Sequence, residues 1–128
     1  MAINLSIVQR PNPMDKTAPR KYYVSTQSAG EVDLEKMSEI ISEKCTLTET
    51  DVLAVLTALT KEMSSNLLEG KIVRFGTFGS FQLGVSSHGV ATEEEATRSL
   101  VKGLRVKFRP GRRVQDNLLL VKYSLSTK

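Results

Sequence analysis

The sequence predicts an α+β chain in which two amphipathic helices precede a three-stranded antiparallel sheet with a long arm, and a third helix follows. Three observations predict it. Apolar residues recur at helical spacing over residues 34–45 and again over 52–68. The period falls to two from Val73 onward, and Leu104–Arg109 alternates without a fault. Two short signatures, Phe78-Gly79-Ser80-Phe81 and Phe108-Arg109-Pro110-Gly111-Arg112, lie 26 residues apart.

The elements follow in order. Residues 3–9 alternate apolar and polar side chains and read as a strand, which Pro11 and Pro13 break because proline lacks the amide a ladder needs. Lys21-Tyr22-Tyr23-Val24-Ser25-Thr26 reads as a second strand, paired with the first or added to the main sheet. Residues 1–30 thus form an N-terminal strand extension, and residues 31–128 the main domain. Asp33 is placed to cap a helix carrying Leu34, Met37, Ile41 and Cys45, with Ile40 widening its face. Cys45 reads as a small buried residue of that helix.

Thr48-Glu49-Thr50-Asp51 resembles a capping box at the head of the second helix. Its apolar stripe is Val52, Leu56, Leu59, Met63 and Leu67, flanked by Leu53, Val55 and Leu68, and Gly70 should end it. One short helix cannot cover so broad a surface. At about 25 cal/mol per Å² of apolar area, leaving it wet forgoes several kcal/mol, so a second chain is expected to cover it. Val73 to Leu83 reads as a hairpin turning at Gly76–Gly79, and residues 112–122 as a final helix with Val114, Leu118 and Val121 on one side.

Between the signatures, Thr92-x-x-Glu95 fits a capping box, so a short helical turn is expected over Thr92–Ser99 instead of an extended arm. His88 lacks partner ligands nearby and reads as a surface loop residue. The phenylalanines Phe75, Phe78, Phe81 and Phe108 read, with Leu56, Leu59 and Met63, as core and dimer contacts beneath the sheet.

Composition narrows the function. The chain has 128 residues, 40% of them hydrophobic and 25% charged, enough apolar content to fill a core. The N-terminus shows no secretory pattern and no apolar run nears the roughly 18 residues of a membrane helix, so a cytoplasmic location is expected and a membrane partner is not. A single cysteine excludes an internal disulfide. No Ser/His/Asp set, paired cysteines or clustered metal ligands can be assembled, so no enzyme, catalytic residue, cofactor, metal or small-molecule substrate is expected. Phe75–Phe81 lacks the Gly-Lys-Ser/Thr ending of a phosphate loop.

Charge is segregated along the chain. Residues 1–28 hold four basic and one acidic side chain, net +3; residues 29–70 hold three and nine, net −6. Residues 71–128 hold eleven and four, net +7. Within the last segment Arg105, Lys107 and Arg109 share one face of a strand, and Arg112 and Arg113 follow at a helix start. No carboxylate interleaves within residues 96–115. Like charges in a row repel, so a purely structural role suits them poorly, whereas they match phosphates along a nucleic-acid backbone. Arg74, Arg98, Lys102, Arg105, Lys107, Arg109, Arg112 and Arg113 are the candidate nucleic-acid contacts, which the resemblance described next assigns to DNA.

The order helix, helix, Val73-x-Phe75-x-x-Phe78-Gly79-Ser80-Phe81, arm, Phe108-Arg109-Pro110-Gly111-Arg112 resembles the HU/IHF family of histone-like bacterial DNA-binding proteins over roughly residues 33–120. The resemblance implies an obligate intertwined dimer with a helical base and a sheet saddle that cradles duplex DNA while two arms follow the minor groove. It also implies a nucleoid-associated, DNA-condensing homodimer, with Arg109 and Arg112 where the family's basic residues meet phosphates. The chain departs from the family in the arm. Residues 85–101 contain no proline, no asparagine and one basic residue, Arg98, and carry Glu93-Glu94-Glu95. Architectural, weakly sequence-dependent DNA binding with reduced bending is therefore expected. The alternative is an HU-like protein-interaction module that has lost DNA binding, and structured RNA is a third possible ligand for the basic face. The long N-terminal segment resembles that of a divergent branch of HU-like proteins.

Overall fold

The computed structural model describes residues 2–125; Met1 and residues 126–128, which the predicted domain limits include, lie outside the described residues. The chain divides into two units, Met1–Asp33 with Asn117–Lys128, and Leu34–Asp116.

In the first unit, β1 (Ala2–Arg10) pairs antiparallel with β2 (Lys21–Thr26), Ile7 opposite Val24. The connection is held by short polar turns: the Asn12 carboxamide oxygen accepts from the Met14 amide at 2.9 Å, and the Asp15 carboxylate accepts from the Thr17 amide at 3.0 Å and its hydroxyl at 2.6 Å. These bonds, the hydroxyl's first, hold the exposed Asp15 carboxyl below its ordinary value. A further strand, β6 (Lys122–Leu125), runs parallel to β1 on its other side, giving the order β2-β1-β6. This corrects the predicted final helix, which ends at Leu118: Lys122–Leu125 is extended because its backbone finds a ladder on the N-terminal strand.

In the second unit, α1 (Leu34–Ser42) packs on α2 (Glu49–Leu68). Thr48 caps α2 as its sequence requires, its hydroxyl accepting from the Asp51 amide at 3.2 Å. The other end is a Schellman closure: Gly70, at φ +82°, donates to the Leu67 carbonyl, and Lys71 donates to that of Asn66. Because α1 stops at Ser42, Cys45 falls in the connection and is exposed, which corrects its reading as a buried helical residue.

The sheet of this unit has the order β3 (Val73–Phe75), β4 (Gly79–Ser87), β5 (Val101–Pro110), all antiparallel. α3 (Arg112–Leu118) follows. Val52 and Leu67 of α2 are buried, and Leu56, Leu59 and Met63 are half-buried. Phe81 stands opposite Phe108 with ring centroids 4.8 Å apart, and Phe78 lies 5.2 Å from Phe108 and 6.1 Å from Phe75. The four rings form one cluster, but within a single chain Phe75, Phe78 and Phe108 stay 42%, 48% and 41% exposed. The protomer alone leaves these rings partly open to solvent.

Candidate nucleic-acid interface

Register decides which side chains share a face. Arg74 pairs with Ser80 and Ser80 with Arg109; Gln82 pairs with Lys107 and Gly84 with Arg105. Directly paired residues point the same way, and alternation places these rows on the face opposite the phenylalanines. That face therefore carries Arg74 on one outer strand and Arg105, Lys107 and Arg109 on the other. The middle strand between them contributes the small or uncharged Ser80, Gln82 and Gly84. The result is a trough with cationic walls. Neighbouring strands lie about 4.8 Å apart, so Arg74 and Arg109 flank Ser80 at about 9.6 Å between backbones. Along β5 the cations recur at about 6.7 Å, twice the rise per strand residue.

The broad end of the trough is a concave site of about 580 Å³ whose polar lining is Arg74, Ser80, Gln82, Lys107 and Arg109. Among the described residues none of Arg74, Arg105, Lys107 or Arg109 has a carboxylate within ion-pair distance. An added Cβ at Gly84 would run into the Lys107 side chain, with Cδ at 3.0 Å, so the bare glycine gives that lysine room to lie across the middle strand.

The two signatures meet at the base of this site. Gly111 donates its amide to the Phe78 carbonyl at 2.7 Å. A Cβ on Gly111 would collide with the Thr77 backbone and come within 3.0 Å of the Gly79 nitrogen. Gly79, at φ +152°, would in turn press a Cβ into the Phe108 ring. Both glycines are needed for close approach, and their contact sets where Arg109 stands relative to Ser80.

The other candidates are dispersed. Arg112 and Arg113 sit on α3, and Arg112 lies 3.8 Å from Asp116, an exposed i,i+4 pair of little energetic weight. Arg98 and Lys102 lie at the far end of the β4–β5 hairpin, beyond the Ser86–Gly103 pair. There residues 88–100 hold two single 3-10 turns, Glu93–Glu95 and Arg98–Leu100, closed by Ala96 and Leu100 amides on the Glu93 and Thr97 carbonyls. The expected helical turn is present in that tighter form. Thr92 precedes it without a side-chain cap bond, which corrects the capping-box reading. His88 is an exposed residue of this loop. Ser80 and Gln82 were not among the candidates; the alternation that turns Phe81 and Leu83 inward was the signal that places them on the cationic face.

Two helices beneath an antiparallel sheet that runs out into a hairpin constitute an HU-like α+β fold. The sequence model of the family described as an HU domain fused to wHTH, Ig or glycine-rich motif matches residues 1–122, and the chain belongs to that family. Among solved structures, the chain is similar to a candidate bacterial DNA binding protein from Bacteroides vulgatus ATCC 8482, with a TM-score of 0.63 at 10% sequence identity. The match covers 97% of this chain and 48% of that one, so the chain spans about half its length. No curated protein matches the sequence significantly. No helix among the described residues is long and apolar enough to cross a membrane.

Proposed function

We propose that the chain binds duplex DNA through the cationic face of β3, β4 and β5, chiefly by phosphate contacts and with little dependence on base sequence. The observation that carries this reading is the trough itself: four cations on one sheet face, free of carboxylate partners among the described residues, three of them (Arg74, Lys107 and Arg109) lining a concavity. Such a face meets phosphates by counterion release, and the residues between its walls are too short to read base edges deeply. Gln82 is the exception, a side chain able to donate and accept at once. Bending is reduced relative to related proteins because the hairpin ends in two tight turns and three glutamates, has no proline to act as a wedge, and offsets the glutamates with few cations, Arg98 and Lys102.

The binding species is a homodimer. Within the second unit Met37, Ile40, Ile41 and Val55 of the helices and three of the four phenylalanines are exposed, an apolar surface that a single copy leaves wet. A second copy applied to this apolar surface closes the core and brings two cationic faces to one duplex, in the nucleoid. Charge reversal tests the reading: Arg74→Glu with Arg109→Glu should abolish the mobility shift of a plain duplex at low salt. Unchanged affinity sinks it. RNA of equal length serves as competitor, and preferential displacement by RNA would reassign the ligand.

A further inference from the structure

The sheet of the first unit ends on an open strand edge. In the order β2-β1-β6, strand β2 has β1 on one side, and among the described residues no strand or side chain pairs with its other side. Its sequence, Lys21-Tyr22-Tyr23-Val24-Ser25-Thr26, is aromatic and β-branched, has no proline or bulge, and carries one charge, at its very start. Natural edge strands are usually blunted by prolines, bulges or several charges. This one is not, and Tyr22 and Val24 are 70% and 60% exposed beside Ile7 on a largely apolar sheet face.

We propose that β2 is a self-association edge, pairing antiparallel with β2 of a second copy so that two three-stranded sheets join across a two-fold axis at Tyr23. The register follows from chemistry. A two-fold axis normal to the sheet keeps each apolar face on its own side only if even-numbered residues oppose even-numbered ones. With Tyr23 opposite Tyr23 of the second copy, each Tyr22 opposes a Val24, an aromatic–branched pair of the favoured kind. Each Lys21 opposes a Ser25, so the two lysines lie at opposite ends and no like charges meet. The same edge is present in every copy, and the contact is isologous and closes on itself.

Six residues a side make an interface well below the roughly 1,200 Å² of a stable complex, so the contact is weak between free molecules. It becomes effective where copies are already held together, because tethering raises the local concentration toward the millimolar range. Resting on the DNA reading above, the consequence is cooperative coating of duplex DNA: each bound dimer offers β2 edges to its neighbours.

A DNA-free cross-linking experiment tests the edge separately from DNA binding. In a Cys45→Ser background, which removes the exposed native thiol, Tyr23→Cys places two cysteines about 4.5–5.5 Å apart across the axis, within disulfide range. Met14→Cys, at the 92%-exposed Met14 in the β1–β2 connection, is the collision control. Under a mild oxidant Tyr23→Cys should form the covalent dimer at least about tenfold faster than the control. Equal rates overturn the proposal whatever the DNA result. On a long duplex, Tyr23→Lys sets two cations opposite each other and should lower the Hill coefficient to 1 while per-site affinity changes less than about threefold. Undiminished cooperativity also overturns it. Rapid cross-linking in a protein that fails to shift any duplex leaves the edge standing and removes the DNA reading; capture of a foreign strand in place of a second copy overturns the edge as a self-contact.

Discussion

The salt dependence of DNA binding can be worked out from the trough. In the proposed dimer Arg74, Arg105, Lys107 and Arg109 of each protomer would supply about eight phosphate contacts, and the log–log slope of affinity against salt should then be near −7. Between 50 and 200 mM salt that slope costs about 10⁴ in affinity. Replacing Arg74 and Lys107 by alanine removes two contacts per protomer and four per dimer. The slope should then fall to about −3.6, and the loss over the same range to about 10². Fluorescence anisotropy of a labelled duplex titrated at four or five salt concentrations measures both. The substitution leaves the phenylalanine face untouched, so a circular dichroism melt should match the wild type. A slope unchanged by the double substitution would refute the assignment of these side chains to phosphate. A slope that falls in proportion while absolute affinity at low salt is kept would show that non-ionic contacts dominate.

Other consequences are open to measurement. Gly111→Ala forces a methyl group into the Thr77 backbone and should destabilise the fold by about 1–3 kcal/mol in urea unfolding, with Arg109 displaced and DNA affinity reduced in step. The depressed Asp15 pKa stabilises the β1–β2 connection at pH values above the unfolded carboxylate range, and that contribution is lost as pH falls through the folded value. The melting-temperature difference between wild type and Asp15→Ala should therefore shrink on acidification; a constant difference would contradict the link. Converting Glu93, Glu94 and Glu95 to lysine should tighten binding at low salt and steepen its salt dependence, since the hairpin tip would then attract the duplex it now repels.

Local chemistry was legible in the sequence and long-range partnership was not. Thr48 and Gly70 announced both ends of α2 because caps depend on residues within one turn. The alternation of Leu104–Arg109 announced a two-faced strand because the pleat alone sets which side chains share a side. β6 was missed for the opposite reason. Leu118 and Val121 continue the helical spacing of Val114, and only β1, more than a hundred residues away, makes the extended form of Lys122–Leu125 favourable. Cys45 was misplaced because the apolar period runs one step past Ser42, where the helix stops. The phenylalanines were correctly grouped but could not be seen to be half-open, since what covers a cluster is invisible in the strands that bear it. Ser80 and Gln82 are uncharged, and nothing in their own chemistry marks the residues that make room between cations.

The bond from Gly111 to the Phe78 carbonyl has a consequence for how such a protein can diversify. It ties the chain together on either side of the β4–β5 hairpin, so the geometry of the cationic face is fixed below the loop and does not depend on what residues 88–100 contain. Lengthening that loop is thermodynamically cheap, since doubling it adds only about 0.6 kcal/mol of closure entropy. The hairpin tip is in effect an exchangeable fitting on a fixed socket: a tip with more cations and a wedge would suit a bender, and the acidic, tightly turned tip present here would suit the weaker bending proposed above.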